Sequence, residues 1–253
     1  MKKSILLLIV LLPILASAQD HRYRPDTAAM LVDRFLDIMN VEAMPADSTL
    51  QLETTVTTDG STDTVTIRRW YAKPLMHRVE VWHGSRLQTA FCTNGRDRFR
   101  LFKPDLGYWV DITADAFYDR LSGYDFRTPL YGWRSLNAKL TYQGRVEAVG
   151  YGNLQSVLVQ TPARFDRQYM FEPSGLLAFI YETGEMDTSE YRPYEASRIE
   201  MKFFHEYQEV GPMILPRQES FVRHGRVTVM QTDASLIKRD DLLFNIDNRP
   251  KRQ

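Results

Sequence analysis

The 253-residue chain carries 32 Lys and Arg against 32 Asp and Glu, a formal net charge of zero, with 13 Phe, 13 Tyr, 4 Trp and a single Cys. Balanced charge excludes the electrostatic footprint of a nucleic-acid binder or a polybasic membrane surface. One cysteine excludes an internal disulfide, so stability must come from the core and from hydrogen bonding. In chain order, Lys2 and Lys3 precede an apolar run from Ile5 to Leu15, and Ala16-Ser17-Ala18 supplies an A-x-A site. That order of charge, short apolar core and small residues predicts a signal peptide over 1–18, cleaved before Gln19. The run is shorter than the ~20 residues a membrane span needs. The expected address is the periplasm, reached by a mature chain over 19–253 read as one domain. Removing Lys2 and Lys3 leaves 30 basic against 32 acidic residues, a net charge of −2. No cysteine stands at the cleavage point, so no lipid-modified amino terminus is expected.

Thr27 to Met39 predicts one helix, because Ala28, Leu31, Val32, Phe35, Leu36 and Met39 fall at spacings of three and four. Asp26 is its expected N-cap. From Ser48 onward, runs rich in Val, Ile, Thr and aromatics alternate with turn signals. They cover Leu50 to Thr57, Thr64 to Ala72, His77 to His83, Arg86 to Thr93, Arg98 to Phe102 and Tyr108 to Ile112. Asn94-Gly95 suits a two-residue type I′ hairpin, since both residues tolerate positive φ. Such spacing argues for an antiparallel meander. Residues 113–137 interrupt it with a short helix from Ala114 to Leu121, capped by Thr113, and then an aromatic, Gly- and Pro-broken stretch. Connections of this length often act as lids.

Strand-like runs resume at Lys139 to Val149, Gln155 to Thr161, Gln168 to Phe171, Leu176 to Tyr181, Arg198 to Tyr207, Ile214 to Arg223 and Arg226 to Thr232. Glu172-Pro173-Ser174-Gly175 and His224-Gly225 mark hairpins, and Gly150-Tyr151-Gly152 reads as another. The fold class is α+β: a single domain of about 11 antiparallel strands forming an open, incomplete β-barrel with an N-terminal helix and a helical lid segment. Alternation predicts Val79 and Val81 opposite solvated Arg78 and Glu80, and Ile199, Met201, Phe203, His205 and Tyr207 opposite Glu200, Lys202 and Glu206. Leu176 to Tyr181 is apolar on both faces. Cys92, in an apolar run, reads as a buried small hydrophobe. A filled core is the simplest outcome for so many aromatics.

Nothing in the sequence asks for catalysis or a cofactor. His21, His77, His83, His205 and His224 are dispersed without metal-ligand spacing, and no G-x-S-x-G, P-loop or G-x-G-x-x-G is present. Glu182 and Glu185 could be imagined as a glycosidase pair, but acidic residues beside a turn are usually just solvated. The chain therefore reads as a non-enzyme.

An ordered set of segments resembles the LolA/LolB family of lipoprotein carriers. It comprises Trp70-Tyr71-Ala72-Lys73-Pro74 followed by Arg78-Val79-Glu80, and then Arg86 to Thr93, Asn94-Gly95 and Arg98 to Pro104. Phe171 to Leu177, Tyr207 to Gly211 with Leu215-Pro216, and Asp241 to Ile246 complete it. The resemblance implies an apolar cavity that holds lipoprotein acyl chains, which tips the expectation from a filled core to a pocket. Each buried methylene contributes ~0.8 kcal/mol, so such a groove can carry lipid through water without covalent chemistry. Trp70, Trp82, Phe91, Phe99, Trp109, Phe117 and Phe126 are the candidate lipid-binding residues. Lys73 stands where the family places an arginine that latches the lid. The implied partners are lipid or lipoprotein acyl chains, an inner-membrane release complex and an outer-membrane acceptor, with a monomer expected. An envelope interaction or sensor protein on the same scaffold, with a filled core, is the alternative. The missing cysteine favours the freely diffusing LolA-like role.

Overall fold

The computed structural model describes residues 25–127, 130–131, 133–135, 137–160, 166–183, 200–223 and 226–245. The expected signal peptide, Glu185 and the His224-Gly225 hairpin lie outside them. Helix α1 spans Pro25–Met39, and a 3-10 turn follows at Val41–Ala43. Six strands come next: β1 (Ser48–Thr58), β2 (Thr64–Ala72), β3 (Met76–His83), β4 (Arg86–Thr93), β5 (Phe99–Lys103) and β6 (Tyr108–Asp111). After α2 (Ala114–Ser122) come β7 (Lys139–Ala148), β8 (Gly152–Gln160), β9 (Asp166–Phe171), β10 (Leu177–Thr183), β11 (Glu200–Val210), β12 (Met213–Arg223) and β13 (Arg226–Lys238). A 3-10 turn at Asp241–Phe244 closes the described chain.

All thirteen strands form one antiparallel sheet in the order β6-β5-β4-β3-β2-β1-β13-β12-β11-β10-β9-β8-β7, open between β6 and β7. The count exceeds the expected eleven because each apolar run between turn signals pairs as a strand of its own. Two meanders are stitched together by β1 and β13, in register from Ser48 against Lys238 to Thr58 against Thr228.

Both helices lie on one face of this sheet. The stripe of α1 buries Ala28, Leu31, Val32, Phe35 and Met39 against Leu50, Val157, Phe171, Leu177 and Leu215. Full burial of each Leu, Val, Phe or Met contributes about 1.5–3 kcal/mol, which holds a helix too short to be stable alone. Gly175 allows the close approach: a Cβ there would stand 2.8 Å from Ile38 and 2.9 Å from Arg34, at a φ of +97°. Thr113 caps α2 by accepting from the Ala116 N–H at 3.2 Å. Phe117 and Leu121 then pack on Val79, Val81, Phe91 and Leu101.

Three local expectations give way. Asn94-Gly95 opens a longer loop, in which Asn94 Oδ1 accepts from the backbone N–H groups of Arg96, Asp97 and Arg98 at 3.0–3.3 Å. That side chain nucleates the turn more strongly than a two-residue hairpin could. Arg78 and Glu80 are buried instead of solvated, because the Asp241–Phe244 turn covers their face. In β11, bulges around Glu206 reverse the expected sides. Phe204 enters the core, and Tyr207 is carried round to stack on it at 6.3 Å, its hydroxyl donating to the Leu177 carbonyl at 2.9 Å. A bulge adds one residue to a strand and so inverts the parity beyond it.

Candidate functional site

The two helices cover different ends of the sheet, α1 over β7–β12 and α2 over β3–β5. Between them, the chain leaving α2 crosses β1, β2 and β11–β13 and roofs a cavity of about 150 Å³. Leu52, Ile67, Phe126, Leu215, Phe221 and Met230 supply its apolar lining. Thr54, Arg69, Asp125, Lys202, Glu219 and Thr232 supply a polar wall. Cross-strand register explains the grouping, since Thr54 faces Thr232, Glu219 faces Met230 and Lys202 faces Phe221.

Arg69 ties the roof to the floor. Its Nη1 donates to the Tyr124 carbonyl at 3.1 Å and its Nη2 to Thr54 Oγ1 at 2.5 Å. Thr54 Oγ1 also meets Thr232 Oγ1 at 2.8 Å, which joins β13 to the same contact. Burial holds the Arg69 pKa below its ordinary value, against the opposing pull of Glu219 and Asp125. Both carboxylates are engaged elsewhere. Lys202 Nζ lies 2.5 Å from Glu219 Oε1, and Arg127 grips both oxygens of Asp125 at 2.8–3.2 Å.

Beside the cavity, Tyr71 packs between Phe126 at 5.6 Å and His77 at 4.9 Å, with the Arg127 guanidinium 5.5 Å from its ring. His77 is buried, and its Nε2 has no hydrogen-bond partner among the described residues. Desolvation, reinforced by Arg127 and opposed by Asp125, pushes its pKa down to about 4.

The seven aromatics singled out in the sequence divide between the two faces. Phe126 alone among them lines the cavity. Phe91, Phe99 and Phe117 lie on the same face but pack on one another beneath α2, with centroid distances of 5.6 Å for Phe91–Phe117 and 5.3 Å for Phe99–Phe117. Trp70, Trp82 and Trp109 lie on the opposite face, where they surround the buried Arg78–Glu80 pair. Lys73 Nζ donates to the Glu42 carbonyl at 2.5 Å, in the turn that follows α1. Arg69, four residues upstream, faces inward by parity and is absent from the sequence-based candidates; its signal in the sequence is a cation at a position whose neighbours of equal parity, Ile67 and Tyr71, are core residues.

Other chemistry is sparse. His205 Nε2 and Ser220 Oγ sit 2.7 Å apart on the outer face, with no acidic side chain bonded to either among the described residues. No group of three or more His, Cys, Asp or Glu among the described residues could hold a metal. His83 is exposed beside Asp63 at 3.4 Å. Among the described residues, no helix is long and apolar enough to cross a membrane.

An open antiparallel sheet with helices on one face and a lidded cavity between them defines a half-barrel. Among half-barrels, this is the LolA-like fold. A DUF1329-family protein from Desulfovibrio piger is similar over 86% of this chain and 97% of its own, with a TM-score of 0.56 at 13% identity. A LolA-superfamily protein from Nitrosomonas europaea matches over 86% and 97%, at a TM-score of 0.54 and 12% identity. A domain from Vibrio parahaemolyticus assigned to outer-membrane lipoprotein sorting matches over 85% and 97%, at 0.52 and 11%. No family model matches the sequence, and no curated protein does.

Proposed function

We propose that the chain, exported by the signal peptide over 1–18, carries lipid or lipoprotein acyl chains in the cavity beneath residues 123–126. The observation that carries this reading is the roofed, partly apolar space in the gap between the two helical covers, whose roof is tied down by the Arg69–Tyr124 bond and by Phe126 packed on Tyr71. At about 150 Å³ the space suits a benzene-sized body, whereas ligand pockets usually span roughly 300–1,000 Å³. A whole acyl chain therefore enters only when the roof lifts, which breaks the Arg69–Tyr124 bond and lets Phe126 swing outward. Binding is then reversible burial, with no covalent step and no catalytic residue. Delivery from an inner-membrane release complex to an outer-membrane acceptor extends the same reading. Native mass spectrometry of the purified mature protein should show bound lipid, and titration with a fluorescent fatty acid should saturate. A protein that is repeatedly lipid-free and binds no fatty acid overturns it.

A second reading has its own observation. Phe91, Phe99 and Phe117 pack on one another under α2, and a packed core there suits an envelope interaction or sensor protein. That reading expects a stable protein partner in a pull-down, captured equally well by wild type and by Phe126→Ser.

A further inference from the structure

The polar wall of the cavity sets two cations, Arg69 and Lys202, among two carboxylates, Glu219 and Asp125. Each carboxylate bonds directly to a cation other than Arg69, Glu219 to Lys202 and Asp125 to Arg127, which lies outside the lining. The two bonds that Arg69 does make go to neutral oxygens, a carbonyl and a hydroxyl. Its Nε is buried and has no acceptor among the described residues. A buried guanidinium with neutral partners and an idle N–H is costly to keep, and an anion placed against it removes that cost.

Resting on the carrier reading, we infer that the cavity selects single-chain amphiphiles with a compact oxyanion head, a carboxylate or a phosphate monoester, seated against the Arg69 guanidinium once the roof has lifted. The head must be compact because the space is small. With the roof lifted, the tail runs over Leu52, Leu215, Phe221 and Met230, which line the cavity around the polar wall. Lys202 stands on the same wall, at present neutralised by Glu219. A neutral hydroxyl head can accept from Arg69 but brings no charge to offset the guanidinium, and it must compete with the Tyr124 carbonyl and the Thr54 hydroxyl.

The test is calorimetric titration of the mature protein with dodecanoate, dodecyl phosphate and dodecanol, which share one tail length. A charge-assisted bond in a dry site predicts that at least one anion binds roughly tenfold more tightly than the alcohol. The stronger of the two anions identifies the head. Glu219→Gln frees Lys202 and should widen the preference, whereas Arg69→Met should abolish it; unfolding curves establish that each variant is folded. The inference is overturned if dodecanol binds within about twofold of both anions, or if a folded Glu219→Gln leaves the preference unchanged. Should none of the three amphiphiles bind, the carrier reading falls as well, so the two failures are distinct.

Discussion

Arg78 grips Glu80 two residues along the same strand, with Nε and Nη2 at 2.8 and 2.6 Å from one carboxylate oxygen, and both side chains are buried. Glu80 Oε2 accepts from Trp82 Nε1 at 3.1 Å, and Arg78 Nη1 donates to the Leu243 carbonyl. The guanidinium lies 6.0 Å from the Trp70 ring and 5.7 Å from that of Trp109. Three of the four tryptophans therefore serve a polar core that fastens the Asp241–Phe244 turn to the outer face.

Replacing Arg78 by Met leaves Glu80 buried without its counter-charge, which typically costs about 3–5 kcal/mol. Urea unfolding should show that loss, while fatty-acid affinity of the folded protein stays unchanged. A parallel loss of affinity would place the outer face within the binding site.

Phe117 and Phe126 should respond differently to truncation. Phe117 is fully buried among Phe91, Phe99 and Tyr118, so Phe117→Ala is expected to cost about 3–5 kcal/mol. Phe126 is half-buried over the cavity. Its replacement by Ala should weaken fatty-acid binding several-fold with a much smaller change in the unfolding midpoint.

Arg69→Lys retains the charge but loses the fork that spans Thr54 and Tyr124. Loss of one bond to a charged donor raises the open population roughly tenfold. Hydrogen exchange at the amides of Asp125 and Arg127, which bond within the roof, should accelerate accordingly, with little change under α1.

His77 gives the fold an acid sensitivity. Its pKa is lowered from 6.5 to about 4 in the folded chain, so the unfolded state binds more protons between those values. Stability is therefore fully present above about pH 6.5 and falls as the pH drops towards 4, by up to about 3 kcal/mol from this one group. His77→Phe keeps a ring against Tyr71 and removes the titration. Unfolding measured from pH 7 to 4 should show a shallower decline for the variant.

Much of this fold is legible in the sequence, for reasons that can be named. The stripe of α1 and the runs of β2, β3 and β8 declare themselves because one side-chain period dominates each. The Thr113 cap and the Gly175 turn are short-range effects, readable within four residues. What parity alone could not settle was which face of the sheet the helices would cover. Trp70 and Tyr71 look equally suitable for lipid, yet adjacent residues on a strand must point to opposite sides. The burial of Arg78 depends on Leu243, 165 residues away, and no local pattern reports that. Arg69 escaped for a similar reason: its partners, Thr54 and Tyr124, come from separate elements that only the folded sheet brings together.

The stitching of β1 to β13 has a kinetic consequence. The cavity floor joins residues 52–69 to residues 202–232, so it cannot exist until nearly the whole chain has been made and its last hairpin has docked. Pairings of such high sequence separation are slow to form. Until then the chain is two unjoined meanders with raw edges at β1 and β13, a state open to aggregation and proteolysis. Closure of that seam is thus the moment at which the molecule first has this cavity to offer.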